Sequence, residues 1–224
     1  MPIDETSRRS SLGVVGAAGL LGVVLYVGAT MLGSLLDPQY SHVRNAISEL
    51  TGARAPHFAV LAPLYAAYNI LLVVFAVGLY RGSLRSTLFK WGAWLFTIGA
   101  ISGIGQVTVF RMDHVGSPAT LTGQGHIILA AVSSLLTVAA TVVYGFAFRR
   151  DPMWRPLSRP SFIAAVAFVV TGPAAALSVG GPYMGLFERI TIGLFIAWVA
   201  VVSSYALWQR QLQVDATSER WEVA

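Results

Sequence analysis

Residues 12–36 read LGVVGAAGLLGVVLYVGATMLGSLL and contain no charged side chain. A helix needs roughly 20 apolar residues to cross the hydrocarbon core of a bilayer, so this run is long enough to span it. Arg8 and Arg9 precede the run, and basic residues also precede the apolar region of a secretory signal peptide. That region is only about 7–15 residues long, however. The run therefore predicts a retained first transmembrane helix.

Five further runs of the chain have the same apolar character and similar length. We predict an all-α fold, a six-transmembrane-helix bundle, with spans at residues 12–36, 57–80, 91–110, 121–148, 161–179 and 185–208. This division leaves one transmembrane domain, a cytoplasmic N-terminal tail and a cytoplasmic C-terminal tail, at residues 12–208, 1–11 and 209–224.

The overall composition agrees with a lipid-covered protein. The chain has 224 residues, of which 55% are hydrophobic and only 11% are charged, whereas soluble domains carry about 25% charged residues. The sequence contains no cysteine, which excludes disulfides, thiol nucleophiles and thiolate metal sites. The formal net charge is +5. The basic residues stand in short clusters between apolar runs rather than on one continuous face, so we expect no nucleic-acid partner.

The positive charges predict how the bundle is oriented. Of the 15 lysine and arginine residues, 11 fall in the two tails and in the second and fourth connections between spans. The other side holds four: Arg44, Arg54, Arg111 and Arg189. Cytoplasmic loops carry an excess of lysine and arginine. We therefore predict a multi-pass protein of the cell membrane with both termini in the cytoplasm.

The first extracytoplasmic loop has the pattern of a short amphipathic helix. Asp37 can cap a helix, Pro38 suits its first position and Gly52 is a stop signal. One face is apolar at helical spacing: Tyr40, Val43, Ile47 and Leu50. Another face is polar: His42, Asn45 and Glu49. Such a helix is expected to lie at the outer membrane interface.

Polar side chains gather at this same outer surface. All four histidines fall there, as do the acidic residues nearest to the spans. Polar groups within lipid are costly and need a partner or a water-filled cavity. The predicted catalytic residues are His126, Asp113 and Glu49. The predicted ligand-contacting residues are Arg189, Glu188, Asn45, Ser48, Gln106, His114 and Asn69.

His126 has two interpretations. It is either a general base or a metal ligand beside Asp113 and His114, or a neutral histidine hydrogen-bonded to a helix neighbour. The sequence shows no His-x-x-x-His pair on a helix, so the metal hypothesis lacks a ligand motif. Asn69, in the middle of the second span, is interpreted as an interhelical hydrogen-bonding residue or as a ligand contact.

Glu188 and Arg189 open the sixth span and also have two interpretations. Arginine presents a planar fork that can bind a carboxylate or phosphate, so the pair could clamp an anion or a head group. Alternatively, a salt bridge to the first loop, Glu188 with Arg44 or Arg189 with Glu49, would fix where that loop docks. A docked loop could also roof a pocket, so the two interpretations are compatible.

Several short motifs, in a fixed order along the chain, resemble a known family. They are YSHVRNAISEL at 40–50, YNI at 68–70, FRMD at 110–113, GH at 125–126 and GLFERI at 185–190. Together with Trp198 they resemble the bacterial and archaeal membrane family called domain of unknown function 998. The resemblance extends from the first span to the last. It implies a six-helix membrane fold and no assigned activity.

Three functions are compatible with this pattern. The first is binding of a lipid or small amphiphile in a polar pocket on the extracytoplasmic side. The second is an intramembrane hydrolase or transferase acting on a lipid head group, and the third is a transporter or an accessory subunit of a membrane complex. The expected partners are the bilayer, a lipid or amphiphile, and either a protein partner or further copies of the chain. The sequence implies no particular cofactor.

Overall fold

The computed structural model describes residues 5–83 and 86–222, with side chains up to residue 215. This part of the chain forms six α-helices and two short 3-10 helices, η1 and η2, and contains no strand. The α-helices are α1 (Glu5–Leu36), α2 (Phe58–Arg81), α3 (Thr87–Thr108), α4 (Leu121–Arg150), α5 (Ser158–Leu177) and α6 (Met184–Glu222). The 3-10 helices are η1 (Ile47–Thr51) and η2 (Arg155–Leu157). The predicted all-α class is confirmed.

Five of the six helices, α1, α2, α4, α5 and α6, are long and apolar enough to cross a membrane. The remaining helix, α3, has 22 residues and therefore the length of a span. It is less apolar because it contains Lys90 and Gln106 among several glycines. It packs between α2 and α4, so it occupies the position in the bundle that the sequence predicted for the third span.

The first and last helices continue beyond their predicted spans. α1 begins at Glu5 and α6 runs to Glu222, so both predicted tails largely prolong a helix. Residues 1–4 and 223–224 of those tails lie outside the described residues. The same holds for Arg85, one of the basic residues that predicted the orientation.

The helices form a closed ring in sequence order. Each helix packs against the next one, and α6 returns to pack against α1. The connections 37–57, 109–120 and 178–183 lie together at one end, which we call the loop end. At the opposite end, the basic end, Arg8 of α1 reaches both Gly82 and Asp151.

Aromatic side chains fill the centre of the ring. Trp198 of α6 lies 6.3 Å from Phe75, 6.1 Å from Phe96 and 6.1 Å from Tyr144, measured between ring centroids. Its indole N–H donates to Ser161 Oγ on α5 at 3.0 Å. Trp198 therefore contacts side chains of four other helices, α2, α3, α4 and α5. These contacts hold together the helices from which the loop end extends.

Close backbone approach joins α1 to α6. A Cβ atom added at Gly19 would lie 1.8 Å from Ser203 Oγ, so only glycine fits where these two helices cross. Small residues allow such contacts in membrane helices, where lipid supplies no hydrophobic drive for association.

Candidate functional site

The loop between α1 and α2 adopts a different conformation from the predicted amphipathic helix. Only its last part is helical, as the five-residue 3-10 helix η1, and residues 37–46 form turns. Asn45 Oδ1 accepts the Ser41 backbone N–H at 2.9 Å, and Glu49 Oε1 accepts that of Ala46 at 2.8 Å. The Asn45 bond to nearby backbone competes with helix formation in residues 41–45, whereas the Glu49 bond caps the N-terminus of η1.

The start of α6 holds this loop through its backbone. The Leu186 N–H donates to Val43 O at 3.0 Å, and the Ile47 N–H donates to the Glu188 carboxylate. Arg189 Nη1 donates to Asn45 O at 2.9 Å. Glu188 and Arg189 therefore hold the loop through hydrogen bonds to its backbone.

The docking does not use the ion pairs that the sequence suggested. Among the described residues, neither Glu188 with Arg44 nor Arg189 with Glu49 forms a salt bridge. Arg189 is instead bonded to two carbonyls and to the Tyr40 hydroxyl. We call Glu188, Arg189 and Tyr40 the loop latch.

Tyr40 connects the latch to the loop itself. Burial raises the pKa of the Tyr40 phenol, so the hydroxyl stays protonated and donates to Ala46 O at 2.9 Å. The same oxygen accepts from Arg189 Nη2. The sequence pattern predicted Tyr40 on an apolar face and gave no sign of this role, because a tyrosine at helical spacing does not reveal a distant arginine partner.

Gly185 makes the docking sterically possible. A Cβ atom at this position would lie 2.2 Å from Asn45 O and 2.7 Å from Arg189 Nη1. The glycine of the GLFERI motif therefore leaves the space in which the loop backbone rests on α6.

A second arginine, Arg111, holds the other end of η1. Its guanidinium donates to Thr51 O and Gly52 O and lies 3.8 Å above the Phe58 ring. The negative Glu188 thus lies at the N-terminus of η1, and the positive Arg111 lies at the carbonyls that end it. This arrangement matches the helix dipole, which is positive at the N-terminus and negative at the C-terminus. From the sequence, Arg111 was one of the four basic residues of the outer side and part of a family motif, with no site role assigned; its position at the end of an apolar span was the available signal.

Asp113 organises the connection between α3 and α4. Its carboxylate accepts the Thr120 backbone N–H at 2.8 Å and the Thr120 hydroxyl at 2.7 Å. These two bonds hold the pKa of Asp113 below its ordinary value. A Cβ atom at Gly123 would lie 2.0 Å from Asp113 Oδ2, so the carboxylate rests against the first turn of α4.

His126 is buried and hydrogen-bonded within the bundle. Its Nδ1 lies 2.9 Å from Phe110 O. This is a hydrogen bond within the protein, which corresponds to the second of the two interpretations of His126. No three histidine, aspartate or glutamate side chains in the described part of the chain gather closely enough to hold a metal ion. Among the described residues, His126, Asp113 and His114 therefore do not form a set of metal ligands.

Two further predicted residues, Gln106 and Asn69, make contacts within the bundle. Gln106 Nε2 donates to Ser133 Oγ at 3.1 Å and joins α3 to α4. Asn69 Nδ2 donates to Tyr65 O at 2.8 Å within α2, while its Oδ1 lies against Gly103 of α3. Asn69 therefore packs between helices, although its hydrogen bond is within its own helix.

Ser48 makes its contacts inside the docked loop. Its hydroxyl lies 3.1 Å from Met112 Sδ. Its backbone N–H and hydroxyl also interact with the Glu188 carboxylate. Ser48 therefore belongs to the contacts that hold η1 in place.

A cleft of about 240 Å³ opens at the loop end, between the first loop and residues 112–114. Its lining includes three buried residues without polar side chains, Gly33, Leu50 and Leu61. Four of the predicted site residues line it: Asn45, Glu49, Asp113 and His114. The other six lie outside this lining: Ser48, Asn69, Gln106, His126, Glu188 and Arg189. The cleft lining also includes residues that were not among the predicted site residues, for example Asp37, Arg54 and His57.

A helical bundle with five long apolar helices defines an integral membrane protein. Residues 20–205 match the model of a family described as protein of unknown function (DUF998), and the chain belongs to that family. The family suggested by the sequence motifs is confirmed. No curated protein and no solved structure matches the chain.

Proposed function

We propose that this membrane protein binds the polar end of a lipid or small amphiphile in the loop-end cleft. The observation that carries the proposal is the cleft itself, whose lining combines apolar residues with polar ones. Ligand sites generally combine apolar surface with a few convergent polar groups. Glu49, Asp113 and His114 would supply those groups.

The cleft is a better candidate than the latch because it contains open volume, whereas Glu188 and Arg189 lie outside its lining. Glu188 and Arg189 are bonded to the loop backbone, and His126 is bonded to Phe110 O. A ligand at any of them would first have to displace a protein contact. The cleft offers about 240 Å³ of open volume, and the Glu49 and Asp113 carboxylates in its lining, although bonded to the loops, can each accept further hydrogen bonds.

The position of the cleft also favours a ligand from the bilayer. The last residues of α1, Leu35 and Leu36, are exposed apolar side chains directly before Asp37 in the cleft wall. Val60, near the start of α2, is likewise exposed. An acyl chain lying on these residues would bring its head group to the cleft.

Native mass spectrometry of gently purified protein tests the proposal. We expect a retained lipid or amphiphile, and we expect Ala53→Trp to remove it because Ala53 lines the cleft and its side chain is exposed. Ala119→Trp is the matched control, since Ala119 is an exposed loop-end alanine outside the cleft lining. A protein that retains no amphiphile in several detergents, or equal retention by both variants, would overturn the proposal.

The proposal places the loop end on the extracytoplasmic side of the cell membrane, in accordance with the lysine and arginine distribution. The chain has no cysteine, so single cysteines can report orientation without background. A membrane-impermeant maleimide should label Ala119→Cys in intact cells and Ser10→Cys only after permeabilisation. The reverse pattern would show that the cleft faces the cytoplasm.

A further inference from the structure

We infer that the cleft selects an amphiphile whose head group carries a positive charge, a primary or quaternary ammonium. This inference rests on the proposed function and adds the chemical class of the ligand. It depends on which charged side chains line the cleft and on which ones the fold has already engaged elsewhere.

Carboxylates outnumber cationic side chains in the lining of the cleft. Asp37, Glu49 and Asp113 contribute three carboxylates, and Arg54 is the one arginine or lysine among the described lining residues. His57 and His114 are the two histidines among the described lining residues. An ammonium group entering the cleft would therefore meet net negative charge.

The arginines best suited to an anionic head group are engaged by the protein. Arg189 donates to Asn45 O, Gly185 O and the Tyr40 hydroxyl. Arg111 donates to the carbonyls that end η1. Neither arginine belongs to the cleft lining. The sequence-based expectation of an anion clamp at Glu188 and Arg189 is thus replaced by a cleft of the opposite charge preference.

The carboxylates keep their acceptor capacity and their charge in this arrangement. Asp37 Oδ1 accepts the Gln39 backbone N–H at 3.1 Å. The two oxygens of Glu49 accept from Ala46 N–H and Asn45 Nδ2, and the two oxygens of Asp113 accept from Thr120. All these donors are neutral, and each carboxylate oxygen can accept more than one hydrogen bond. The Thr120 bonds lower the pKa of Asp113, which keeps that group ionised at neutral pH.

The size of the cleft favours a head group over a whole ligand. Sites for drug-sized molecules usually measure roughly 300–1,000 Å³, and this cleft measures about 240 Å³. An ammonium group with a few attached carbons fits that volume. The alkyl chain would then remain outside, against the exposed apolar residues at the ends of α1 and α2.

A head-group competition measures the selectivity. Purified protein is mixed with alkyltrimethylammonium, alkylphosphocholine and alkyl sulfate of equal chain length, and native mass spectrometry compares the bound fractions. We expect the ammonium compound to be retained best and the sulfate least. Equal or better retention of the sulfate would overturn the charge preference and leave amphiphile binding intact. Retention of none of the three would overturn the proposed function itself.

Variants that change the charge of the cleft provide a second test of the charge preference. Asp37→Asn combined with Glu49→Gln keeps an oxygen acceptor at each position and removes two charges. Ammonium retention should fall roughly tenfold, while sulfate retention should not fall. Arg54→Gln should raise ammonium retention. Asp215→Asn, near the end of the described side chains and outside the cleft, is the control and should change neither. Equal effects on both amphiphiles would overturn the inference.

Tetramethylammonium distinguishes a lipid-like ligand from a free amine. It carries the same charge without an alkyl chain, so it should displace the ammonium amphiphile only at much higher concentration. Displacement at equal concentration would overturn the amphiphile requirement and assign the cleft to a small free ammonium compound. The melting temperature of each variant, measured alongside, reports whether the fold is retained.

Discussion

The Glu188 carboxylate of α6 accepts the backbone N–H of Ile47, a residue 141 positions earlier in the chain. The next residue of α6, Arg189, donates to Asn45 O in the same loop. Two adjacent charged side chains at the start of the last helix therefore fix the loop that forms one wall of the cleft. Any ligand that enters the cleft meets a wall whose position depends on this contact.

Removing the carboxylate should release the first loop. Glu188→Ala leaves the Ile47 N–H without its acceptor, and an unsatisfied buried donor costs about 1–3 kcal/mol. Arg44 and Arg54 are exposed residues of this loop and provide trypsin sites. We expect faster tryptic cleavage at these two arginines and a lower melting temperature in detergent.

Glu188→Gln is the conservative control for that experiment. The amide oxygen can still accept the Ile47 N–H, so cleavage should stay closer to that of the wild-type protein. Unchanged cleavage in Glu188→Ala would mean that the latch does not hold the loop in solution.

A methyl group added at Gly185 of α6 should release the first loop, as removal of the Glu188 carboxylate should. Gly185→Ala places a Cβ atom 2.2 Å from Asn45 O, so the loop backbone must move. We expect increased cleavage at Arg44 and a loss of stability of about 1–3 kcal/mol, the usual cost of overpacking. Gly193→Ala is a matched control on the same helix, because nothing lies within 4 Å of its added Cβ. Equal behaviour of the two variants would contradict the close approach.

A similar pair of variants tests the crossing of α1 and α6. Gly19→Ala would force its Cβ to within 1.8 Å of Ser203 Oγ, whereas Gly28→Ala meets nothing within 4 Å. We expect Gly19→Ala to lower the melting temperature in detergent and Gly28→Ala to leave it nearly unchanged. Ser203→Gly should partly restore the stability of Gly19→Ala. A failure of this rescue would show that the crossing is not limited by Ser203.

Acidification should weaken the contact between Asp113 and Thr120. A carboxylate whose pKa is lowered in the folded state contributes stability that is fully present above its unfolded pKa, about 3.9 for aspartate. The contribution is lost as the pH falls through the lowered pKa. We therefore expect the melting-temperature advantage of wild type over Asp113→Asn to shrink below about pH 4.

Thr120→Val separates the two hydrogen bonds to Asp113. It removes the hydroxyl donor and keeps the backbone N–H, so its pH curve should lie between those of the wild type and Asp113→Asn. An advantage of wild type over Asp113→Asn that stays constant across this pH range would contradict the pKa shift as the cause.

Much of the fold could be predicted because it depends on local composition. A long uncharged run such as residues 12–36 satisfies its backbone hydrogen bonds within itself, so the helix needs no knowledge of the rest of the chain. Helix ends were less predictable. α6 continues to Glu222, because a polar helix can extend an apolar one without any change in local propensity.

The candidate site was predictable only as a region. The sequence predicted polar site residues at one end, and four of them, Asn45, Glu49, Asp113 and His114, line the cleft. It could not separate them from Glu188 and His126, which bond to the backbone of distant loops. Any residue can supply the backbone atom for such a bond, so the sequence shows no complementary pair of residue types that would predict it.

The sequence by itself determined that the chain is a helical membrane protein, which end carries the polar residues, and which family it belongs to. The tertiary structure alone decided which polar residues face open space and which are used to hold the first loop. The reason is physical: apolar helices form from contacts within about four residues, whereas the cleft exists because α6 returns to α1 and its first turn meets Ile47.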